Sequence, residues 1–259
     1  MDLALTRDGF LDGKLQITQP ESGFRAGSDA VLLAASVPAK PGDMVLDVGA
    51  GVGTAGLCLK YRVPDCVLFG IELQESLTKL AGQNAADNHL EKGTQFIAAN
   101  ITHRRDFNGQ KVAGDKSLLE AGFDHVLTNP PFYEEGRAQV STHAIKGPAH
   151  VEADADLATW IRFCVARLKP KGQISLIHRT ERLTEILTFL GEKCGRIEVL
   201  PLLPSATRPA KRVLVRAEKG SGSPLKLLPG LVLHEEDGTP TETANEILRR
   251  GASIADLIK

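Results

Sequence analysis

The chain has 259 residues, of which 42% are hydrophobic and 24% are charged, and its formal net charge is −1 at pH 7. These values are typical of a soluble globular protein with one large α/β domain or two small ones. The near-zero net charge excludes a uniformly basic nucleic-acid binder, so any phosphate binding requires a local basic patch.

The N-terminal stretch MDLALTRDGFLDGKLQ is interrupted by charges at Asp2, Arg7, Asp8 and Asp12, which excludes a signal-peptide core. No run of about 18 uncharged apolar residues follows, so no membrane-spanning helix is expected. The four cysteines lie in apolar sequence without a C-x-x-C pair, which favours reduced core residues over metal ligands or a disulfide. We therefore expect a cytoplasmic protein without a metal site.

Helices and strands are expected to alternate along the chain. The apolar run SDAVLLAASV at 28–37 begins with a capping serine and predicts a helix, and MVLDV at 44–48 predicts a buried parallel strand. The glycine-rich GAGVGT follows, and then a helix from about Ala55 to Tyr61. Later strands are expected in CVLFGI, TQFIA, FDHVLT, QISLIH, IEVLPLL and KRVLVRA. Later helices are expected in ESLTKLAGQNAADNH, LATWIRFCVARL (closed by KPKG) and RLTEILTFLGEK.

This alternation predicts βαβ units and a parallel sheet. Only residues 204–210 connect the last two strands, which is too short for a parallel crossover, so the last strand should run antiparallel. The flexible KGSGSP at 219–224 separates a C-terminal appendage. We expect an N-terminal extension with a helix at 1–42, a main domain at 43–218, and an appendage at 219–259 packed on the main domain.

The spacing of the glycines in the loop decides which nucleotide-like ligand it suits. Gly49, Gly51 and Gly53 form G-x-G-x-G, and Thr54 stands where the dinucleotide fingerprint G-x-G-x-x-G requires its third glycine. Together with Asp47 before it, the loop resembles the first motif of class I S-adenosylmethionine-dependent methyltransferases. That resemblance implies a Rossmann-like α/β fold, with a mostly parallel seven-stranded sheet, an antiparallel terminal strand and helices on both faces.

Two strand ends extend this resemblance to further cofactor residues. Glu72 ends the second strand of the motif about 20 residues after the loop, where a carboxylate can accept ribose hydroxyls. Alone, such a glutamate is more often a surface or helix-start charge. Asn100 lies where the family usually has an acidic residue near the adenine amino group, and its carbonyl can accept the same hydrogen bond. The resemblance implies S-adenosylmethionine as the cofactor.

The segment TNPPF at 128–132 follows the strand FDHVL at the same edge of the sheet. The Asn129 side chain and the Pro130 backbone each offer a carbonyl that can accept a hydrogen of an amino group, and Phe132 can stack on a base. Such a site turns the nitrogen lone pair towards an electrophile, and alignment alone provides much of the rate. The alternative is a strand end that is merely stiffened by prolines.

The order DVGAGVG, GIE, NPPF resembles the amino-methylating methyltransferases, which act on adenine N6, guanine N2 or glutamine N5. Three flanks, QPESGFRAGSDAVLLAASV, PLLPSATRPAKRVLVRAEKG and LHEEDGTPTETANEILRRG, resemble the bacterial tRNA1(Val) adenine-37 N6-methyltransferase family over nearly the whole chain. In that family the stretch matching Phe24 to Asp29 borders the methionine end of the cofactor. The resemblance therefore implies that Arg25 meets the cofactor carboxylate, unless it is a surface charge beside the helix. Phe132 replaces the usual tyrosine, as in some guanine-N2 enzymes, which leaves the target base open.

The family resemblance implies a tRNA substrate whose anticodon-loop adenine is splayed into the pocket. The catalytic domain, alone or as a homodimer, would have to hold it through local basic clusters. Candidate clusters are His103 to Arg105, Arg137 with Lys146, and Arg208 with Lys211 and Arg212. The remaining alternatives are guanine N2 of ribosomal RNA, a glutamine of a translation factor, a small-molecule acceptor, and an RNA-binding protein with an inactive methyltransferase fold.

Overall fold

A computed structural model of the protein describes residues 4–23, 25–113, 116–131 and 156–254. The strands in these ranges are β1 (Leu5–Phe10), β2 (Leu15–Pro20), β3 (Met44–Val48), β4 (Val67–Glu72), β5 (Thr94–Ala98), β6 (Lys111–Ala113), β7 (Lys116–Ser117), β8 (Phe123–Thr128), β9 (Leu168–Arg179), β10 (Cys194–Leu203), β11 (Arg212–Lys219), β12 (Lys226–Leu227) and β13 (Leu231–Val232). The α-helices are α1 (Ser28–Ser36), α2 (Thr54–Arg62), α3 (Glu75–Asp87), α4 (Leu157–Arg167), α5 (Leu183–Gly191) and α6 (Glu242–Arg250). Two 3₁₀ helices span Arg104–Phe107 and Thr180–Arg182.

The central sheet has the strand order β5-β4-β3-β8-β9-β11-β10, and the short strands β12 and β13 both pair with β10 at its edge. The strands from β5 to β9 in this order pair in parallel, whereas β11 is antiparallel to both of its neighbours. The expected mostly parallel seven-stranded sheet with an antiparallel terminal strand is confirmed, and two short edge strands are added to it.

Both faces of the sheet are covered by helices, which explains why its strands read as continuous apolar runs. Val45 and Leu127 belong to one hydrophobic cluster, together with residues of α1, α2, α3 and α6. Their strand neighbours Leu46 and Val126 belong to a second cluster with α4 and α5. The carboxyl ends of β3 and β8 therefore meet at one edge of a rigid, doubly covered sheet.

An antiparallel hairpin of β1 and β2 precedes the sheet and was not predicted from the sequence. It attaches to α3 through two asparagine side chains rather than through another strand. The Asn84 amide accepts from Thr18 N at 2.8 Å and donates to Thr18 O at 3.0 Å. One turn later Asn88 makes the same pair of bonds with the backbone of Gln16, both at 2.8 Å. The two side chains thus replace the neighbouring strand that the outer edge of β2 lacks.

The segment KPKG at 169–172 was expected to close the helix LATWIRFCVARL, and α4 ends at Arg167, just before it. The following strand is longer than the predicted QISLIH, because β9 begins at Leu168 and runs through KPKG. The pairing of β9 with β8 shifts register between Phe123 and His125, and Lys171 takes a φ of +64°. Between these two pairs β9 advances by five residues while β8 advances by two, so three extra residues of β9 are accommodated in an irregularity related to a β-bulge, and the strand continues through KPKG.

Residues of all three expected segments share one core. The larger hydrophobic cluster contains Leu15 from the N-terminal segment, Val45 from the main one and Ile247 from the C-terminal one. The four cysteines are buried and form no disulfide with one another. In the described ranges, none of the helices combines the length and the apolar character needed to cross a membrane.

Candidate active site

A cleft of about 370 Å³ opens at the carboxyl edge of β3 and β8. The glycine loop after β3, the start of α1, the start of α2 and the first residue of β11 surround it. Four residues singled out from the sequence as site residues line it together: Arg25, Asp47, Gly49 and Asn129. Ligands of open α/β sheets bind outside the carboxyl ends of the strands, at the point where the strand order reverses.

The glycine loop is held against the end of β4 by its backbone. Gly49 N and Ala50 N both donate to Ile71 O, at 2.8 and 2.9 Å. Gly49 has a φ of +75°, and a Cβ added to it would lie 2.8 Å from a ring carbon of Trp160. Both the positive φ and the close contact require glycine here. The backbone of the loop can therefore approach a ligand closely at Gly49, which lines the cleft.

Glu72 anchors the same loop from the end of β4. Its carboxylate accepts from Gly51 N at 2.9 Å and from Gln74 N at 3.0 Å, and the residue is only 9% exposed. A carboxylate offers about four acceptor positions, so two remain for hydroxyl groups of a ligand. The next residue, Leu73, is 47% exposed and offers an apolar surface beside them.

Asp47 lies beneath the loop and is only 2% exposed. Its Oδ2 accepts from Gly56 N in the first turn of α2 at 3.0 Å. Burial raises the pKa of the Asp47 carboxyl to about 7; the Gly56 bond opposes this rise and the nearby Glu72 carboxylate adds to it. Asp47 therefore caps α2 and links the loop to the helix, and near neutral pH it changes between its charged and neutral forms.

Two polar atoms on the cleft wall are buried and have no hydrogen-bond partner among the described residues. They are the Asn129 Oδ1 atom and the Thr54 Oγ1 atom. A buried polar group without a partner costs about 1–3 kcal/mol, so native proteins rarely keep one without a reason. A ligand that hydrogen-bonds to both atoms would remove this cost. Thr54 was singled out in the sequence only as the residue that breaks the dinucleotide fingerprint, and its unpaired hydroxyl could not be foreseen from that.

Trp160 of α4 joins the two sides of the cleft and was not singled out from the sequence. Its ring packs against Gly49, and its indole N–H donates to Thr128 Oγ1 at 2.8 Å. Thr128 is fully buried and donates in turn to Val48 O at 2.7 Å. This chain of bonds connects the end of β8, directly before Asn129, to the end of β3, directly before Gly49.

Arg25 lines the cleft but is committed to the N-terminal hairpin. Its guanidinium donates to Asp8 Oδ2 at 2.7 Å and to Thr6 Oγ1 at 2.8 Å. Asp8 also accepts from Gln19, and this bond is the main cause that lowers the pKa of the Asp8 carboxyl. The Arg25 side chain is about one-third exposed, so it can still present an N–H to a ligand.

The other predicted site residues that the structure describes are not among those that line this cleft: Gly51, Gly53, Glu72, Asn100 and Pro130. Pro130 is buried next to Asn129, and Phe132 lies outside the described residues. Asn100, buried beyond the end of β5, does not line the cleft. Its Oδ1 already accepts from Thr102 N at 2.9 Å and from Thr102 Oγ1 at 2.7 Å, so both acceptor positions of its carbonyl are occupied.

The strand order, the glycine loop and the acidic residues beside it define a class I S-adenosylmethionine-dependent methyltransferase. The family model described as "Methyltransferase small domain" matches residues 24–200. The chain belongs to this family of methyltransferases, and its cofactor is S-adenosylmethionine.

Comparisons with known proteins support the same assignment over most of the chain. A tRNA1(Val) (adenine(37)-N6)-methyltransferase from Aeromonas hydrophila is 25% identical over 89% of this chain and 91% of its own length. The protein of the same name from Shewanella baltica is 26% identical over 91% and 95%. Among solved structures, a predicted O-methyltransferase from Agrobacterium tumefaciens is 26% identical with a TM-score of 0.70, covering 87% of this chain and 97% of that one.

Proposed function

We propose that the protein transfers a methyl group to the N6 amino group of an adenine in the anticodon loop of a tRNA. The single observation that carries this proposal is the buried Asn129 Oδ1 atom, which lines the cleft without a donor among the described residues. Relatives that match this chain over nearly their whole length bear the name of this activity.

The residues present fit the cofactor at several points. Gly49, Gly51 and Gly53 supply a loop that can approach a ligand closely. Thr54 Oγ1 adds a buried polar group that has no partner within the described ranges. The acceptor positions left on Glu72 suit the two hydroxyl groups of a ribose. The exposed Leu73 side chain suits the flat face of an adenine.

Further residues contribute to cofactor binding under this proposal. Asp47 orders the loop by capping α2, and Arg25 reaches the cofactor carboxylate. Because both acceptor positions of its carbonyl are occupied, Asn100 has a structural role rather than a role in binding the adenine amino group. By holding the turn after β5 through Thr102, it shapes the adenine pocket rather than accepting from the adenine itself.

The target amine is oriented by two acceptors on a stiff backbone. Asn129 Oδ1 and the Pro130 carbonyl each accept one N–H of the amino group, and Pro130 brings no competing N–H of its own. S-adenosylmethionine supplies an electrophilic methyl group, and orientation of the nitrogen lone pair towards it replaces a strong base. Phe132 stacks on the base. A hydroxyl acceptor has one hydrogen and would leave one of the two carbonyls unpaired, so the site favours amines.

Incubation with labelled S-adenosylmethionine and unmodified tRNA, followed by nucleoside analysis, tests the proposal. We expect labelled N6-methyladenosine from the unaltered protein. We expect turnover to fall by about 10²-fold or more in Asn129→Ala, since removing one preorganised hydrogen-bonding group costs this much. Cofactor affinity measured by calorimetry should stay within about twofold, because the Asn129 amide serves the acceptor.

The exposed Asn108→Ala is the matched control for the loss of one amide and should retain full turnover. A methylated guanine in ribosomal RNA, or a methylated glutamine in a translation factor, in place of N6-methyladenosine would move the proposal to that acceptor. Parallel loss of turnover and cofactor affinity in Asn129→Ala would contradict the role given to Asn129.

A further inference from the structure

The connection from β10 to β11, residues 204–211, is a stiff loop at the same edge of the sheet as Asn129. Pro204 and Pro209 restrict its backbone. Thr180, beyond the end of β9, pins its last part: Thr180 N donates to Lys211 O at 3.3 Å and Thr180 Oγ1 donates to Ala210 O at 3.2 Å. The loop is therefore positioned before any ligand arrives. We call residues 204–211 the basic connection.

The basic connection adjoins the cleft directly. Its next residue, Arg212, lines the cleft together with Asn129. In the sheet β11 is separated from β8 only by β9, and Val215 of β11 is level with Thr128 at the end of β8. The start of β11 therefore lies two strand spacings, about 10 Å, to the side of Thr128 and three residues, about 10 Å, beyond it. A nucleotide whose base reaches Asn129 would carry its backbone past this rim.

The two cations of the basic connection form no ion pair among the described residues, whereas the neighbouring arginines do. Arg212 donates to Asp29 Oδ2 at 3.1 Å, and Arg182 is paired with Glu185. Arg208 and Lys211 are exposed and have no ion-pair partner among the described residues. The acidic residue Glu181 directly follows Thr180 in the sequence and is exposed. Two cations without an ion-pair partner in the described part of the chain, on a stiff loop beside the cleft, are suited to phosphate groups.

We infer that Arg208 and Lys211 bind backbone phosphates flanking the target nucleotide and so hold the RNA over the cleft. This inference rests on the proposed function for its substrate class. It assigns the RNA-facing surface of the protein to the rim next to β9 and β11. Contacts of this kind position a polynucleotide without reading its sequence.

Binding of a fluorescently labelled anticodon stem-loop, measured by anisotropy over a range of salt concentrations, tests the inference without requiring turnover. In the double variant Arg208→Gln/Lys211→Gln we expect affinity to fall about tenfold at low salt. The slope of log K against log salt should become shallower by about 1.4, since each single-strand phosphate contact contributes about 0.7. The charge-retaining Arg208→Lys/Lys211→Arg should bind nearly as the unaltered protein does.

The matched control is Lys92→Gln/Lys171→Gln, which removes two exposed lysines at the opposite, amino edge of the sheet. It changes the net charge equally and should keep the salt slope. An equal effect of both double variants, or no effect of the first, would overturn the inference. If the unaltered protein binds the stem-loop with the expected slope but methylates no adenine, the proposed function fails while the assigned surface stands.

Discussion

At the scale of single residues, Trp160 connects the two ends of the site. It is the one tryptophan of the sequence, and it packs against Gly49 on the cofactor side while donating to Thr128 on the substrate side. Asn129 follows Thr128 directly, so the indole fixes the strand end that, under the proposed function, holds the target amine. Methyl transfer depends on small distances, and a displacement of about 1 Å can cost about 10²-fold in rate.

We expect Trp160→Phe to lower kcat by roughly three- to tenfold, because it keeps a ring against Gly49 but removes one hydrogen bond worth about 1 kcal/mol. Thr128→Val removes the same bond from its other end, together with the bond from Thr128 to Val48 O. The two changes should therefore be non-additive in a double-mutant cycle measured on kcat, while the cofactor Kd stays nearly unchanged. Fully additive losses would show that the two side chains act independently.

At the scale of elements, the hairpin of β1 and β2 owes its place to α3. Asn84 is fully buried, and besides its two bonds to Thr18 it donates to Val52 O, inside the glycine loop, at 2.9 Å. The same hairpin holds Arg25 through Asp8. A helix side chain thus ties the N-terminal hairpin and the cofactor loop together, and the position of Arg25 depends on this attachment.

Asn84→Ala should lower the unfolding free energy by roughly 2–4 kcal/mol, since three buried hydrogen bonds are lost. It should also weaken cofactor binding, because Val52 O loses its donor. Urea unfolding and calorimetry measure the two effects. Asn88→Ala is the matched control: it removes the equivalent bonds to Gln16 without a contact to the glycine loop, and should destabilise the protein but largely preserve cofactor affinity. Equal loss of cofactor affinity in both variants would contradict the coupling.

The contrast between the sheet and the hairpin shows what the sequence could predict. Alternating apolar strands and helices are local patterns, so a mostly parallel sheet with an antiparallel last strand was predictable, as were the positions of the glycine loop and of Asn129 in the chain. The hairpin has its own local signal, Asp12-Gly13 between two alternating runs, which is typical of a tight turn and was overlooked. Its docking was not predictable, because Asn84 lies far from Thr18 in sequence and asparagine in a helix usually signals a cap or a surface position.

The same distinction holds within the site. Glycine spacing and prolines report backbone requirements at their own positions, and these predictions place the loop and the strand end in one cleft. The hydrogen bonds of Trp160 and Arg25 depend on which segments the fold brings together, and so does the lack of a partner for Thr54 Oγ1 among the described residues. An amphipathic helix such as α4 gives no sign that its tryptophan faces a glycine rather than the general core.

At the scale of the whole molecule, Asp47 makes stability depend on pH. Its pKa is about 7 in the folded protein against 3.8 for a solvated aspartate. Between these values the folded chain holds a proton that the unfolded chain has released. The unfolding free energy contributed by this group is therefore fully present below about pH 4 and is lost as the pH rises through 7.

Asp47→Asn should remove this dependence, because the amide keeps an acceptor for Gly56 N but does not titrate. The unfolding free energy of the variant relative to the unaltered protein should rise by about 2–4 kcal/mol between about pH 4 and about pH 8. Denaturant unfolding across this range measures the difference, with the exposed Asp65→Asn as the control for loss of one negative charge. A constant difference between variant and unaltered protein would show that Asp47 is ionised throughout.

The Asn129 Oδ1 atom, which has no hydrogen-bond donor among the described residues, has a consequence for how many methyl groups the reaction adds. Under the proposed function, an unmethylated amine brings two hydrogens to two carbonyl acceptors, whereas the product brings only one. One buried acceptor is then left without a partner, at a cost of about 1–3 kcal/mol, so the product is held less firmly than the substrate. Weaker binding of the methylated amine favours release of the product. It also disfavours a second methyl transfer to the same nitrogen, so we expect a monomethylated amine as the final product.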